Sequence, residues 1–224
     1  MSASGQQPTF QRARSPQQRE ARRRVILDAA TQLLGEMPVS DISLRELARR
    51  VGLSKTNVVR YFETREAVFF ALLNEAIAEW LDELPAELPA ASPAAPPSPG
   101  AVVDALARSI ARRPLICELW SALGTELERN ISADAVRAFK LTHAELQARL
   151  AGLLKARIPA LTAPASRELV SLSIVLIAGL WPFANPAPSV LEAVQDPLLA
   201  HSRVDFTARL SRALLIVVTG LLTV

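Results

Sequence analysis

The sequence is poor in the residues on which many protein classes depend. It has one cysteine, Cys117, and two histidines among 224 residues. A single thiol cannot form a disulfide within the chain or build a cysteine metal site, so we expect a reducing, cytoplasmic setting without metal or cofactor. Glycine is sparse, at 8 residues. Because the sequence has no phosphate-binding glycine loop and no nucleophile elbow, it does not indicate an enzyme.

Aromatic residues make up only 5% of the chain, although 50% of it is hydrophobic. Ala, Leu, Arg and Glu are abundant, and no long segment alternates apolar with polar residues. This composition predicts an all-α protein packed by aliphatic side chains. The longest uncharged run, 169–191, contains three prolines, and its apolar part is shorter than the roughly 20 residues of a membrane span. We interpret it as a buried helix followed by a loop.

Positive charge is concentrated at the N-terminal end. Residues 1–65 contain 12 Arg and Lys against 6 Asp and Glu, whereas residues 66–224 contain 13 against 16. Such an asymmetry is typical of a region that meets a polyanion, although a solvated basic tail would look the same. We expect 1–14 to be a disordered basic arm that leads into the first helix. As a group, the arginines of the arm and of the start of that helix are expected to contact flanking phosphates or a minor groove of DNA: Arg12, Arg14, Arg19, Arg22, Arg23 and Arg24.

Capping residues divide the first third of the chain into four helices. Ser15 followed by Pro16 begins the first, which ends before Pro38. Ser43 with Glu46 forms a capping-box pattern for a helix to about Val51. Ser54 begins the third helix (55–61) and Thr64 a longer fourth. The proline-rich segment 85–100 is predicted to be a linker or loop. Further helices are predicted at about 101–111, 114–129, 133–157, 166–180 and 204–222, with Ser132 and Ser166 as caps.

The segment 43–62, SLRELARRVGLSKTNVVRYF, has the layout of a helix-turn-helix: a short helix, a glycine turn and a second short helix. Ala48 is small where the two helices cross, and Gly52 supplies a left-handed turn residue. Its second helix turns Lys55, Thr56, Asn57 and Arg60 outward, where they can contact phosphates and base edges of DNA. The alternative is an ordinary helical corner with the same caps.

The stretch 25–73, VILDAATQLLGEMPVSDISLRELARRVGLSKTNVVRYFETREAVFFALL, resembles the tetracycline-repressor (TetR/AcrR) family. The resemblance implies a three-helix DNA-binding domain (15–63) and a larger helical domain (64–224) for ligand binding and dimerisation. It also implies phosphate contacts by Ser43, Tyr61 and Arg65. The complete set of expected DNA-binding residues is Ser43, Arg45, Ser54, Lys55, Thr56, Asn57, Arg60, Tyr61 and Arg65.

The sequence departs from the family pattern within the second short helix. Thr56-Asn57 stands where relatives often have Gly-Thr, and Val59 stands where a tyrosine is frequent, which removes one phosphate contact. Arg60 replaces a common histidine, and its forked donor can bind a guanine or a phosphate. The operator sequence therefore does not follow from the relatives.

Two segments of the C-terminal half, 166–183 and 204–224, are apolar nearly all round and must be buried on several sides. We expect them to form a two-fold, four-helix interface in a homodimer, through Leu172, Leu176, Leu210, Leu214 and Val218. The family resemblance implies the same pair of helices. A monomeric core, a membrane-associated helical protein and a protein-interaction module remain alternatives.

Four aromatic residues mark a candidate ligand pocket: Trp120, Phe139, Trp181 and Phe183. Such side chains more often simply fill a core, but the resemblance implies a cavity for a small apolar or amphipathic effector. We expect 181–186 (WPFANP) to break a helix and line the mouth of that cavity. The function predicted from the sequence is a regulator, with repression favoured over activation, that binds a palindromic operator as a homodimer and is released by a small molecule.

Overall fold

A computed structural model of the chain describes residues 15–90 and 96–223, apart from the side chain of residue 200. The predicted disordered arm, 1–14, lies outside the described residues. The described part is helical and contains no strand. Its ten α-helices are α1 (Pro16–Leu34), α2 (Leu44–Arg50), α3 (Lys55–Val59), α4 (Arg65–Glu87), α5 (Pro99–Ala111), α6 (Pro114–Ala122), α7 (Ala133–Arg157), α8 (Ala163–Ala184), α9 (Pro188–Ala193) and α10 (Phe206–Thr223).

Helix α4 joins two packed units. It packs against α1 on one side and against α6 and α7 on the other, while α10 packs against α5 and α8. The indole nitrogen of the buried Trp80 donates to Ser109 Oγ at 2.9 Å, which fixes the middle of α4 to α5. A single π-helical turn, Leu123–Leu127, ends α6. The short helix α9 and two 3₁₀ turns, Val39–Asp41 and Pro197–Ser202, were not predicted from the sequence.

The predicted caps explain five of the ten described helix starts. The hydroxyls of Ser15, Ser43, Ser54, Thr64 and Ser132 each accept a hydrogen bond from a backbone N–H three residues later. Helix α3 is shorter than expected, because regular structure ends at Val59. The helix predicted at 166–180 is longer in both directions. Thr162 rather than Ser166 caps it, and Ser166 is 3% exposed inside the first turns.

Prolines inside two helices make the predicted breaks wrong. A proline removes the N–H that would bind the carbonyl four residues earlier. Pro85 leaves the carbonyl of Leu81 without its partner, and Arg149 of α7 donates to that oxygen at 3.1 Å. Helix α4 therefore continues to Glu87, into the segment predicted as linker.

The same arrangement carries α8 through Pro182. Ser121 of α6 donates to the freed carbonyl of Ala178, with an Oγ–O distance of 3.1 Å. The helix ends only at Ala184, with Asn185 as its cap. The segment 181–186 therefore does not break the helix at Trp181 as expected, because a neighbouring side chain replaces the missing hydrogen bond.

Candidate nucleic-acid interface

Helices α2 and α3 form a tight corner around a small core. Leu47 and Val58 are fully buried and Ala48 is 3% exposed, which lets the helices approach closely. Gly52 has φ +65, the only positive φ among the described residues, and Leu53 N–H then donates to Ala48 O at 2.9 Å. Because side chains other than glycine rarely adopt this φ, the turn depends on Gly52. The geometry is that of a helix-turn-helix.

The exposed surface of α3 is mostly polar, with Val59, 43% exposed, as its apolar member. Lys55, Thr56, Asn57 and Arg60 all lie on this surface, whereas Val58 points into the core. The structure thus brings together the four residues predicted to face outward. Their side-chain donors can reach a groove of DNA, because all four side chains are exposed. The hydroxyl of Ser54 caps the start of the helix by accepting the backbone N–H of Asn57 at 3.2 Å.

A recess beside α3 is lined by residues that were predicted to bind DNA. Ser43, Lys55 and Arg65 line it together with Thr64, and Arg45 is exposed nearby on α2. Tyr61 is half-buried and lies elsewhere, in a crevice beside α7. The predicted phosphate ligands therefore do not share one surface.

Arg65 is partly buried, with its side chain 21% exposed, and its side-chain hydrogen bonds are made within the protein itself. Its Nη1 donates to the carbonyls of Val39 and Ile42 at 2.9 and 3.0 Å, and to Ser40 O at 3.2 Å. Its Nε donates to the carboxylate of Glu66, which is 4% exposed, at 2.8 Å. The side chain ties the start of α4 to the turn before α2, and these bonds occupy Nη1 and Nε of the guanidinium.

Two arginines of α1 hold the end of α3, a role that sequence reasoning missed. Arg19 Nη2 donates to Arg60 O at 3.4 Å, and Arg23 Nη1 donates to Tyr61 O at 3.2 Å. The guanidinium of Arg23 also lies 4.4 Å from the centre of the Phe62 ring. The last carbonyls of a helix lack partners within it, and these side chains supply them. Nothing in the sequence places α1 beside α3.

Arg24 likewise turns towards the protein. It forms ion pairs with Glu75 of α4 at 3.0 Å and with Asp28 at 3.3 Å. The basic surface available to DNA is therefore smaller than the number of arginines indicates, since Arg23 and Arg24 contact other parts of the protein. Arg12 and Arg14 lie outside the described residues.

The four aromatic residues predicted to line a ligand pocket do not share one cavity. Trp120, Phe139 and Trp181 are 4%, 5% and 9% exposed, whereas Phe183 is 70% exposed. Phe139 stacks on Phe70 with ring centres 4.1 Å apart, beside a crevice of about 330 Å³ between α4 and α7. Phe183 instead lines a separate groove, formed by the end of α8 and residues 186–204.

A polar cluster lies in the core next to Phe139. His143 Nδ1 is 2.9 Å from Asn74 Oδ1, and Trp120 Nε1 donates to His143 Nε2 at 3.4 Å. This pattern assigns the His143 proton to Nδ1, since Nε2 must accept. Burial, with the nearby charge of Lys140 as a smaller cause, lowers the pKa of His143 from 6.5 to about 4.

The protein is expected to lose stability as the pH falls from 6.5 to 4. In that window the unfolded chain binds a proton at His143 and the folded chain does not, so the free energy of unfolding falls by about 3 kcal/mol in total. Urea unfolding at a series of pH values measures this loss. The His143→Gln variant should lose this part of the pH dependence, and identical pH profiles for the two proteins would contradict the assignment.

The residues predicted for a dimer interface divide into two groups. Leu210, Leu214 and Val218 are fully buried within the protomer, where α10 packs against α5 and α8, so they are core residues and cannot meet a partner. Leu172 and Leu176 are half-buried on α8. The large apolar side chains that these helices expose are instead Val175, Phe183, Leu215 and Ile216, of which Val175 and Ile216 are each 64% exposed.

Helices α8 and α10 are long and apolar enough to cross a membrane by composition alone. In the structure each turns one face into the protomer core, through residues such as Ile177 and Leu214, and leaves an apolar face outside. Core helices of soluble proteins pass the same test of composition.

Within 15–90 and 96–223, no group of three or more His, Cys, Asp or Glu side chains is placed to bind a metal.

Comparisons with known proteins agree with this architecture. Residues 26–72 match the family model of bacterial regulatory proteins of the tetR family, and residues 74–224 match that of the tetracyclin repressor-like C-terminal domain. The transcriptional regulator RutR of Escherichia coli is 33% identical over 66 residues, which span 30% of this chain and 31% of RutR. The chain thus matches about a third of the length of that relative.

Solved structures show the same fold over most of the chain. A TetR regulator from a Rhodococcus species has a TM-score of 0.55 at 17% identity, covering 92% of this chain and 98% of that one. The repressor AlkX from a Dietzia species, implicated in biodegradation of n-alkanes, has a TM-score of 0.53 at 15% identity, with 94% and 97% covered. The two family models together extend from residue 26 to residue 224, with residue 73 between them. The chain belongs to the tetracycline-repressor family of DNA-binding transcriptional regulators.

Proposed function

We propose that the protein is a cytoplasmic repressor that binds a palindromic operator as a homodimer and is released by a small molecule. The observation that carries the proposal is the exposed polar face of α3, with Lys55, Thr56, Asn57 and Arg60, on a helix anchored at both ends. A rigidly held helix with donors on its outer face suits the major groove.

The dimer is supported by the apolar surface that one chain leaves uncovered. Val175 of α8 and Ile216 of α10 are each 64% exposed, and Leu172 and Leu176 lie half-buried beside Val175. Two helices from each subunit would cover these faces in a four-helix interface. Two copies also read two half-sites, which supplies the specificity that one helix-turn-helix lacks.

Release by an effector is supported by contacts between α7 and the end of the helix-turn-helix. Ser132, the cap of α7, donates to Glu63 at 3.0 Å. Tyr61 and Phe139, which belong to the two units, both line the crevice of about 330 Å³. A small molecule that enters this crevice would push on both units and change the orientation of α3.

Asn57→Ala and Arg60→Ala are each expected to weaken operator binding by about 1–3 kcal/mol per half-site, because planar donors that pair with base edges are lost. Binding to scrambled DNA should change little, and circular dichroism should stay the same, since both side chains are exposed. Titration of operator and scrambled duplexes at several salt concentrations measures both effects.

Arg167→Ala is the matched control, because it removes an exposed arginine from α8, outside the helix-turn-helix. It should leave both titrations unchanged. An equal loss on operator and scrambled DNA for Arg60→Ala would show that Arg60 binds phosphate and reads no base. If neither Asn57 nor Arg60 affected DNA binding, the role proposed for α3 would be wrong.

A further inference from the structure

An apolar groove lies at the end of α8 and shares no lining residue with the crevice between the two units. Phe183, Val190, Leu191 and Val194 line it, together with Gln195 and Arg203, and its volume is about 600 Å³. Phe183 is 70% exposed, and Val190 and Leu191 are 46% and 48% exposed. The volume and the apolar lining are those of a small-molecule site.

One positive charge stands at this groove without an acidic partner. Arg203 Nε donates to Val194 O at 3.0 Å, and Nη2 donates to Gln195 Oε1 at 3.3 Å, both uncharged acceptors. Among the described side chains, no carboxylate oxygen lies within 4.0 Å of this guanidinium, and Nη1 has no hydrogen-bond partner. The two bonds hold the guanidinium beside the apolar wall with a donor to spare.

We propose that this groove binds an amphiphilic carboxylate, with an alkyl chain against Phe183, Val190 and Leu191 and the carboxylate on Arg203. Guanidinium and carboxylate make short, charge-assisted hydrogen bonds, which fix one end of the ligand. The apolar wall supplies affinity that grows with chain length. Because no described carboxylate lies within 4.0 Å of Arg203, a carboxylate ligand is favoured over a neutral one and over an apolar segment from a second copy of the chain.

Isothermal titration of the full-length protein with decanoate, octanoate and decanol tests the assignment. We expect one decanoate per chain, bound about fivefold more tightly than decanol. Octanoate, which is two methylenes shorter, should bind roughly tenfold more weakly than decanoate. Arg203→Gln should abolish the preference for decanoate over decanol and leave decanol binding unchanged. Arg209→Gln, an exposed arginine on α10 that does not line the groove, should retain the preference.

A second variant tests the apolar wall without touching the charge. Ala184 lines the groove, and Ala184→Leu should fill part of it and weaken decanoate and decanol alike. A preference for decanoate that survives Arg203→Gln would overturn the proposal, as would equal binding of octanoate and decanoate. Light scattering on the same samples tests whether a second copy of the chain occupies the groove instead. If decanoate binds only when the dimer separates, a second copy fills the groove and the proposal is wrong.

Discussion

Leu214→Glu is expected to prevent stable folding, whereas Ile216→Glu, two residues further on, is expected to give a folded monomer. Leu214 is fully buried in the protomer core, and an ionised carboxylate there costs several kcal/mol, which is comparable with the whole stability of a domain. Ile216 is 64% exposed, so a charge there stays hydrated in one chain but would be buried by a partner. Thermal melts by circular dichroism, with light scattering for the mass in solution, distinguish the two outcomes.

Leu141→Glu provides the control for the added charge. Leu141 is 60% exposed on α7, outside the faces of α8 and α10, so this variant should remain a folded dimer. An unchanged dimer for Ile216→Glu would refute the proposed interface. A stably folded Leu214→Glu protein would refute the placement of α10 in the core.

Arg65→Ala is expected to destabilise the protein by about 3–5 kcal/mol, because it leaves the carboxylate of Glu66 buried without its cation. The same change removes the hydrogen bonds to the carbonyls of Val39, Ser40 and Ile42. Urea unfolding measures the loss. Arg65→Ala combined with Glu66→Ala should recover part of the stability, since no buried charge remains.

The expected result distinguishes this structural role from a phosphate contact. A phosphate contact would leave the unfolding midpoint unchanged, weaken operator and random DNA alike, and lower the salt slope by about one per subunit bound. An unchanged midpoint together with that salt effect would contradict the internal role of Arg65.

Local chemistry made much of the fold predictable from the sequence. A serine or threonine that accepts an N–H three residues later is a short-range device, so Ser15, Ser43, Ser54 and Thr64 could be assigned as caps from the sequence alone. The positive φ of Gly52 and the buried Ala48 follow from the same local pattern. The exposed face of α3 could be predicted because Val58 and Phe62 fix which side faces inward.

The failures that bear on the site concern contacts between distant segments. Pro85 and Pro182 look like helix breaks until Arg149 and Ser121 are seen to bind the freed carbonyls. Arg65 looks like a surface cation until the turn at 39–42 is folded against it. The apolar sequence of a helix such as α10 indicates that the helix is buried. It does not indicate whether residues of the same chain or of a partner cover each face.

The central claim is that α3 reads DNA in a symmetric pair, and footprinting on genomic fragments selected by the purified full-length protein tests it most directly. Two protected half-sites related by a two-fold axis are expected, about 34–36 Å apart or a multiple of that distance, as two α3 helices of a dimer require. Asn57→Ala should lose preference at one position in each half-site, with the protected length unchanged. Selection of fragments with no common sequence, or a footprint without two-fold symmetry, would contradict the account.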